Sequence, residues 1–212
     1  MSYAAALKRA DLTLVLDLCE RVFLLILFAH LCYRFFESIV ETYSIAHSLI
    51  LMVELSVVLF VVFRSPTKDI SRIPSDWLIS LLATCAPLLI VPSTVAPVVS
   101  GAVCIGMMVT GVGLQLSAKV ALNTRFGVLP ANRGVMQRGP YAFLRHPMYF
   151  GYTLTHIGFL LYAPCQRNLI VYVAGFALQV IRILREERLL SADPAYRKYA
   201  EEVPSRIVPG VF

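Results

Sequence analysis

Residues 43–63 read YSIAHSLILMVELSVVLFVVF, an apolar run whose one charged residue is Glu54. Crossing the hydrocarbon of a bilayer takes about 20 predominantly apolar residues in helical form, and this stretch supplies them. The whole chain reads the same way. Of its 212 residues 58% are hydrophobic and 15% are charged, and the mean hydropathy is +0.73. A globular domain holds roughly 45–50% apolar and about 25% charged residues. A soluble fold of this composition would leave large apolar patches in water, whereas a bilayer accepts them as a solvent. At this length one membrane domain is expected.

Outward from that run, a first apolar stretch extends from near Leu12 to Phe36 and is most apolar at Val22–Leu31. A third, Trp77–Val91, is short and contains Pro87; Pro92 and Pro97 then bracket a tight turn. The fourth, Val98 to about Ala118, carries Gly101, Gly106, Gly111 and Gly113, small residues that let helices approach closely in membranes. A polar segment, Lys119 to Pro147, separates it from two further apolar runs, Met148–Ala163 and Leu169–Ile183. Pro164, Gln166, Arg167 and Asn168 between these read as the tip of a helical hairpin, and both a full span and a partial dip of that hairpin satisfy the sequence. A charged, soluble segment, Arg185 to Phe212, follows. The expected fold is an all-α integral membrane protein with about six transmembrane or membrane-embedded helices, four spans plus a C-terminal helical hairpin. Its single domain, 1–212, divides into a four-helix membrane part, 1–118, and a catalytic part, 119–212, with a cytoplasmic loop and tail.

The net charge of +6 could indicate nucleic acid, but the bases sit between and after the apolar runs. Lys8 and Arg9 precede the first run, and Arg64, Lys68 and Arg72 lie between the second and third. Lys119, Arg125, Arg133, Arg138 and Arg145 separate the fourth from the fifth, and Arg185, Arg188, Arg197, Lys198 and Arg206 follow the sixth. The alternate connections hold only Arg34, at one edge, and Arg167. This bias orients a chain with both termini cytoplasmic, in the inner membrane if the source is bacterial, and no nucleic-acid partner is expected. Cys19, Cys32, Cys85, Cys104 and Cys165 are scattered and complete no metal site; they read as small buried apolar residues. No cleavable signal peptide is expected, because Asp11, Asp17, Glu20 and Arg21 interrupt the first apolar stretch.

The chemistry concentrates in Arg138-Gly-Pro-Tyr-Ala-Phe-Leu-Arg-His-Pro-Met-Tyr-Phe-Gly151. Two X-Pro steps, two glycines, four aromatics, two arginines and a histidine at a membrane boundary are dense for a connector, although Tyr and Arg also anchor headgroups. Arg182 and Glu186, four apart, share a helix face. An ordinary ion pair is one reading of them. Arg182 also follows an apolar run closely, and an ionisable group at that depth is a functional candidate. Pro147 suits a first helical turn, which sets His146 near free N–H donors where an anionic group is welcome. Glu54, mid-span, needs a partner such as Gln115 or lines a substrate path. His30, His47 and His156 carry no assignment.

The loop resembles the signature of the isoprenylcysteine carboxyl methyltransferase-like family of membrane methyltransferases. Arg125-Phe-Gly-Val-Leu-Pro-Ala-Asn-Arg-Gly-Val-Met136 resembles the family's lead-in, and Arg182-x-x-x-Glu186-Glu187-x-x-Leu190 with Tyr196-x-x-Tyr199 resembles its C-terminal motif. Together these cover roughly residues 110–212. Where the family often has Phe-Gly before the first of those tyrosines, this chain has Ala192-Asp193-Pro194-Ala195. The resemblance implies S-adenosylmethionine as cofactor and a lipid or other hydrophobic acceptor reached from the membrane side. Tyr141, His146, Pro147, Met148 and Tyr149 would wall the cofactor, and Val135 and Met136 would add backbone and apolar contacts. Arg145, Gly151, Glu187, Tyr196 and Tyr199 complete the implied set. Glu186 would hold a polar group of the cofactor, Arg182 would face the reacting centre, and Arg182 and Glu54 would meet the acceptor. No metal is required for an in-line methyl displacement, which rests on positioning two reactants in a dry cavity. Membrane sterol reductases carry a comparable Arg-His-Pro loop and bind NADPH, but typically show Asn after His-Pro and Glu after the Gly, where this chain has Met148 and Tyr152. A transporter or assembly factor built around Glu54 and the glycine-rich run is the non-enzymatic alternative.

Overall fold

The structure, a computed structural model, describes residues 15, 17–30, 32–33, 36, 44–64, 71, 73–91, 93 and 95–212. Expectations for Lys8, Arg9, Asp11, Arg34, Lys68, Arg72 and Pro92 lie outside the described residues. Residues 17–30 form helix α1. It is followed by α2 (Ile45–Val62), α3 (Pro74–Cys85), α4 (Gly101–Leu122), α5 (Pro147–Tyr162), α6 (Gln166–Leu190) and α7 (Pro194–Glu202). Among the described residues there is no strand. The all-helical expectation therefore holds. Among the described residues three segments are long and apolar enough to cross a membrane: Ile45–Val62, Gly101–Arg125 and Gln166–Leu190.

Helix boundaries follow local chemistry. Pro74 stands in the first turn of α3, where a missing N–H is harmless, and Asp76 lies in the same turn. The third apolar run is interrupted near Pro87: the α-helix ends at Cys85 and a 3₁₀ turn, Ala86–Leu89, takes over. The hairpin tip between α5 and α6 is pinned by the buried Asn168. Its Oδ1 accepts from Val91 N–H at 3.0 Å, and its Nδ2 donates to the carbonyls of Val91 and Ala163 at 2.9 and 3.3 Å.

Two boundaries differ from expectation. Lys119, read from the sequence as the start of a polar connector, lies inside α4 and is wholly buried. Its ammonium is satisfied there, donating to Ser56 Oγ at 2.6 Å and Gln115 Oε1 at 3.3 Å. The helix therefore runs on until Asn123, whose φ of 50° ends it. At the other end of the chain, α6 continues through the charged residues to Leu190. Arg185, expected to open a soluble tail, is held by Ser75 Oγ and Asp76 Oδ1 of α3 at 2.6 and 2.7 Å.

Helices α4 and α5 touch backbone to backbone. A Cβ on Gly111 would sit 2.6 Å from the Gly151 carbonyl oxygen, one on Gly151 would sit 2.7 Å from that of Gly111, and one on Gly158 would sit 2.9 Å from that of Cys104. Of the four glycines singled out in α4, only Gly111 makes this contact; Gly106 and Gly113 have nothing within 4 Å of that position. A buried ion cluster joins α1 to the end of α2. Arg64 pairs with Asp17 and with Glu20, the latter at 2.6 Å, and Arg21 reaches Asp17 at 2.7 Å. Arg64 is thus not a free surface base.

The alternating course of the helices gathers the end of α2, the start of α3, the end of α4, the start of α5 and the end of α6 at one end of the bundle. Ser71 N–H donates to the Pro130 carbonyl at 2.9 Å, tying two of these connections together.

Candidate functional site

At that end the segment 126–146 folds over the bundle. Gly139, at φ 61°, occupies the left-handed region that favours glycine and turns the chain into the short 3₁₀ stretch Gly139–Ala142, which buries Tyr141. Pro147 opens α5 with His146 as the preceding residue, and the His146 side chain makes no capping bond. The C-terminal stretch runs back alongside: Arg145 N–H donates to the Ser205 carbonyl at 3.0 Å and His146 N–H to that of Arg206 at 2.8 Å.

Glu187 is the knot of this arrangement. Its carboxylate receives Arg145 Nη1 at 2.9 Å, Arg206 Nε at 2.7 Å and Tyr196 Oη at 3.3 Å, and it lies 3.3 Å from His146 Nε2. Helix α7 is fixed by its own start, where Asp193 accepts from Ala195 N–H at 2.9 Å and from Asn132 Nδ2 at 3.0 Å. Those two bonds hold the Asp193 carboxyl below its ordinary pKa, the Asn132 bond first. The Ala192–Ala195 stretch that departs from the family pattern is therefore a capped helix start. Tyr199 Oη donates to the Tyr141 carbonyl at 2.7 Å. Burial pushes its phenol up to about 12, with the Arg145 charge opposing and Glu187 adding to the rise.

Between the loop, α6 and α7 lies an open-mouthed cavity lined by residues from all three. Of the residues the resemblance implied, ten line it: Val135, Met136, Tyr141, Arg145, His146, Met148, Tyr149, Glu186, Tyr196 and Tyr199. Glu187, Pro147 and Gly151 do not. Glu187 instead faces the tail, and Gly151 lies in the α4–α5 contact.

A second, smaller cavity lies deeper among α2, α3, α5 and α6. Arg182, Glu54, Gln179 and His156 line it, and it shares Phe126, Met148 and Tyr149 with the first. Arg182 and Glu186 do not form the ordinary i,i+4 ion pair. Arg182 donates to the Val128 carbonyl and lies 5.4 Å from the centre of the Tyr149 ring, while Tyr149 Oη donates to Glu186 at 3.4 Å. The two side chains thus open on opposite sides of one tyrosine. Glu54 is buried, and the charge it senses most is that of Lys119. Gln115, the expected partner, bonds Lys119 and Thr155 instead.

Residues 99–197, just under half of the chain, match the family model for phospholipid methyltransferase. The match to that family's model includes the loop, both cavities' α5 and α6 walls, and Tyr196, and it agrees with the resemblance read from the motifs. No curated protein matches the chain.

Sequence reasoning missed Lys119, His156, Arg206 and Arg133. Lys119 carried a signal, since Glu54 needed a partner and Gln115 and Lys119 stand four apart on a helix. His156 stacks on Tyr172 with ring centroids 4.6 Å apart, a contact that no local pattern foretells.

Proposed function

We propose that this chain transfers the methyl group of S-adenosylmethionine to a lipid or another hydrophobic acceptor at the cytoplasmic face of the membrane. The observation that carries the reading is the wall of Phe126, Met148 and Tyr149 common to an outer cavity and an inner cavity among the helices. Two reactants held on either side of these shared side chains would be close neighbours, and positioning of that kind lowers a bimolecular barrier by several kcal/mol.

The outer cavity suits the donor's chemistry. Glu186 makes no ion pair among the described residues, so its carboxylate is free for an ammonium or for ribose hydroxyls. Tyr141, Tyr149, Tyr196 and Tyr199 offer rings to a purine and to a sulfonium, each aromatic face being worth roughly 0.5–2 kcal/mol near a cation. When bound, the cofactor supplies an electrophilic methyl group. The chain's residues do the rest. Glu187 holds Arg145, Arg206 and Tyr196 in register, Met148 and Tyr149 exclude water between the cavities, and Arg182 and Glu54 present opposite charges to the acceptor. The placement of Lys and Arg between the apolar runs supports a cytoplasmic location for the site and for both termini.

The test uses the purified chain in detergent. S-adenosylhomocysteine should bind by calorimetry, and labelled methyl should pass from S-adenosylmethionine into a total lipid extract. Arg182→Ala or Glu186→Ala should abolish the transfer. Stabilisation by NADPH without S-adenosylhomocysteine binding would overturn the proposal, as would transfer that survives both substitutions.

A further inference from the structure

Arg133 is turned inward from the loop that follows α4. Asn132 Oδ1 accepts from Gly134 N–H at 3.0 Å, and Gly134 takes φ 86°, so the chain reverses just beyond Arg133. The guanidinium lies flat over Gly127: a Cβ there would stand 2.5 Å from Cζ and Nη2. Nη1 donates to the Leu129 carbonyl at 3.3 Å. Nε and Nη2 are buried and have no acceptor. Arg133 lines the outer cavity, and no carboxylate among the described residues pairs with it.

That combination is costly unless something fills it. Burial, then the nearby Arg64 charge, pulls the guanidinium down to about 10, yet it stays a cation at neutral pH. Arg64 is already matched by Asp17 and Glu20, so it takes nothing from Arg133. A buried cation is normally paired. Nε and Nη2 are also the side-on edge of the guanidinium, the pair of parallel donors that fits two oxygens of one planar acid group. Arg145 Nε is a further buried donor without a partner in the same cavity. Among the described residues the sole carboxylate lining it is Glu186, so the cavity has a cationic pole and an anionic pole.

We infer that Arg133 forms an anion subsite of the outer cavity, taking a carboxylate or phosphate through Nε and Nη2, with Gly127 kept bare so that the guanidinium can lie there. On the proposed function, on which this inference rests, the carboxylate is that of the methyl donor's amino-acid end. The phosphate of an acceptor headgroup is the other source of the same chemistry.

The experiment compares S-adenosylhomocysteine with S-adenosyl-3-thiopropylamine, which lacks only the carboxylate, by calorimetry on the full chain in detergent. Dodecyl phosphate is tested alongside by thermal shift. The wild type should prefer the carboxylate-bearing ligand by roughly 10- to 100-fold. Arg133→Gln should remove that preference while binding the amine analogue unchanged, and Arg133→Lys, which keeps charge but not the fork, should restore only part. Unchanged binding of the analogue also reports that the variant is folded; should Arg133→Gln fail that check, Gly127→Ala, which displaces the guanidinium, must give the same selective loss. If Arg133→Gln spares S-adenosylhomocysteine but abolishes stabilisation by dodecyl phosphate, the subsite stands and serves the acceptor. Equal loss for both adenosyl ligands, or no change with any of the three compounds, overturns it. A wild type that binds neither adenosyl compound sinks the methyl-donor reading instead, and the dodecyl phosphate arm alone then decides for or against Arg133.

Discussion

Glu187→Gln is the perturbation that most sharply tests how the site is held. The substitution keeps the shape of the side chain and removes its charge. In the native arrangement Arg145 and Glu187 are both nearly enclosed, their side chains 10% and 8% exposed, and their bond is 2.9 Å. A hydrogen bond to a charged group in such a setting contributes about 1.5–3 kcal/mol. Arg206, 32% exposed, is screened and adds no more than about 1 kcal/mol. The expected loss is therefore about 2–4 kcal/mol, and it is local, because these bonds join the loop to the tail and leave the α4–α5 contact alone. Hydrogen exchange reads this directly. The amides of Arg145 and His146 donate to the Ser205 and Arg206 carbonyls, and their protection should fall by roughly one and a half to three orders of magnitude, at a factor of ten per 1.4 kcal/mol. Amides in the middle of α4 and α5 should keep theirs. Protection of Arg145 and His146 within a factor of about three of the wild type would refute the reasoning. So would a uniform loss through the bundle, which would make Glu187 a general stabiliser rather than the tie between loop and tail.

Gly151→Ala should destabilise the protein by about 1–3 kcal/mol through overpacking, because the new Cβ would meet the Gly111 carbonyl; Gly113→Ala, in open space, should be neutral or mildly stabilising, and thermal unfolding in detergent compares the two. Lys119→Met should cost about 2–4 kcal/mol by leaving Ser56, Gln115 and the Glu54 charge without their partner. Adding Glu54→Gln to it should return about 1–3 kcal/mol, and denaturant unfolding of the single and double variants would show no coupling if the two charges ignore each other. Tyr199, with its pKa raised to about 12 from roughly 10 in the unfolded chain, favours folding while it stays neutral. Its contribution is complete below about pH 10 and disappears as the pH climbs towards 12. Exchange at the Tyr141 end of the loop should accelerate across that window in the wild type and show no such pH step in Tyr199→Phe.

The membrane fold was legible because apolar run length is a direct consequence of bilayer thickness, and Pro87, Pro147 and Asn168 marked their boundaries by backbone chemistry that is local. What was not legible is phase. Glu186 and Glu187 are neighbours in sequence, yet about 100° apart around the helix, so one meets the cavity and the other the tail. The sequence names the pair without saying which is which. Gly151 is a different case, because a signal existed. Gly151, Thr155 and Gly158 recur at spacings of four and three, a small-residue stripe that lets helices close up in a membrane, and Gly151 belongs to the loop motif as well. Lys119 was misread because a charge after an apolar run looks like a helix end, when an unpaired Glu54 one helix away required a cation at that depth. Arg133 sits in a loop whose inward turn depends on Gly127 and Gly134, and only three-dimensional placement distinguishes it from the surface bases around it.

Arg182 and Glu186 join these lines of argument. Four residues of α-helix rise about 6 Å, and the Tyr149 ring occupies that interval, with the guanidinium over its face and the carboxylate at its hydroxyl. Had the two side chains paired, they would have closed the space between the cavities and neutralised both poles. The ring keeps them apart, and each stays available to its own chamber. Tyr149 in turn is set by the first turn of α5, whose start is fixed by Pro147 and whose far face is locked to α4 through Gly151. The loop motif is dense because one helical turn must present Met148 and Tyr149 to the cavities and Gly151 to a backbone contact, with His146 held against Glu187. A change at any one of these positions should be felt at the others, which explains why so much of the chemistry falls within residues 145–151.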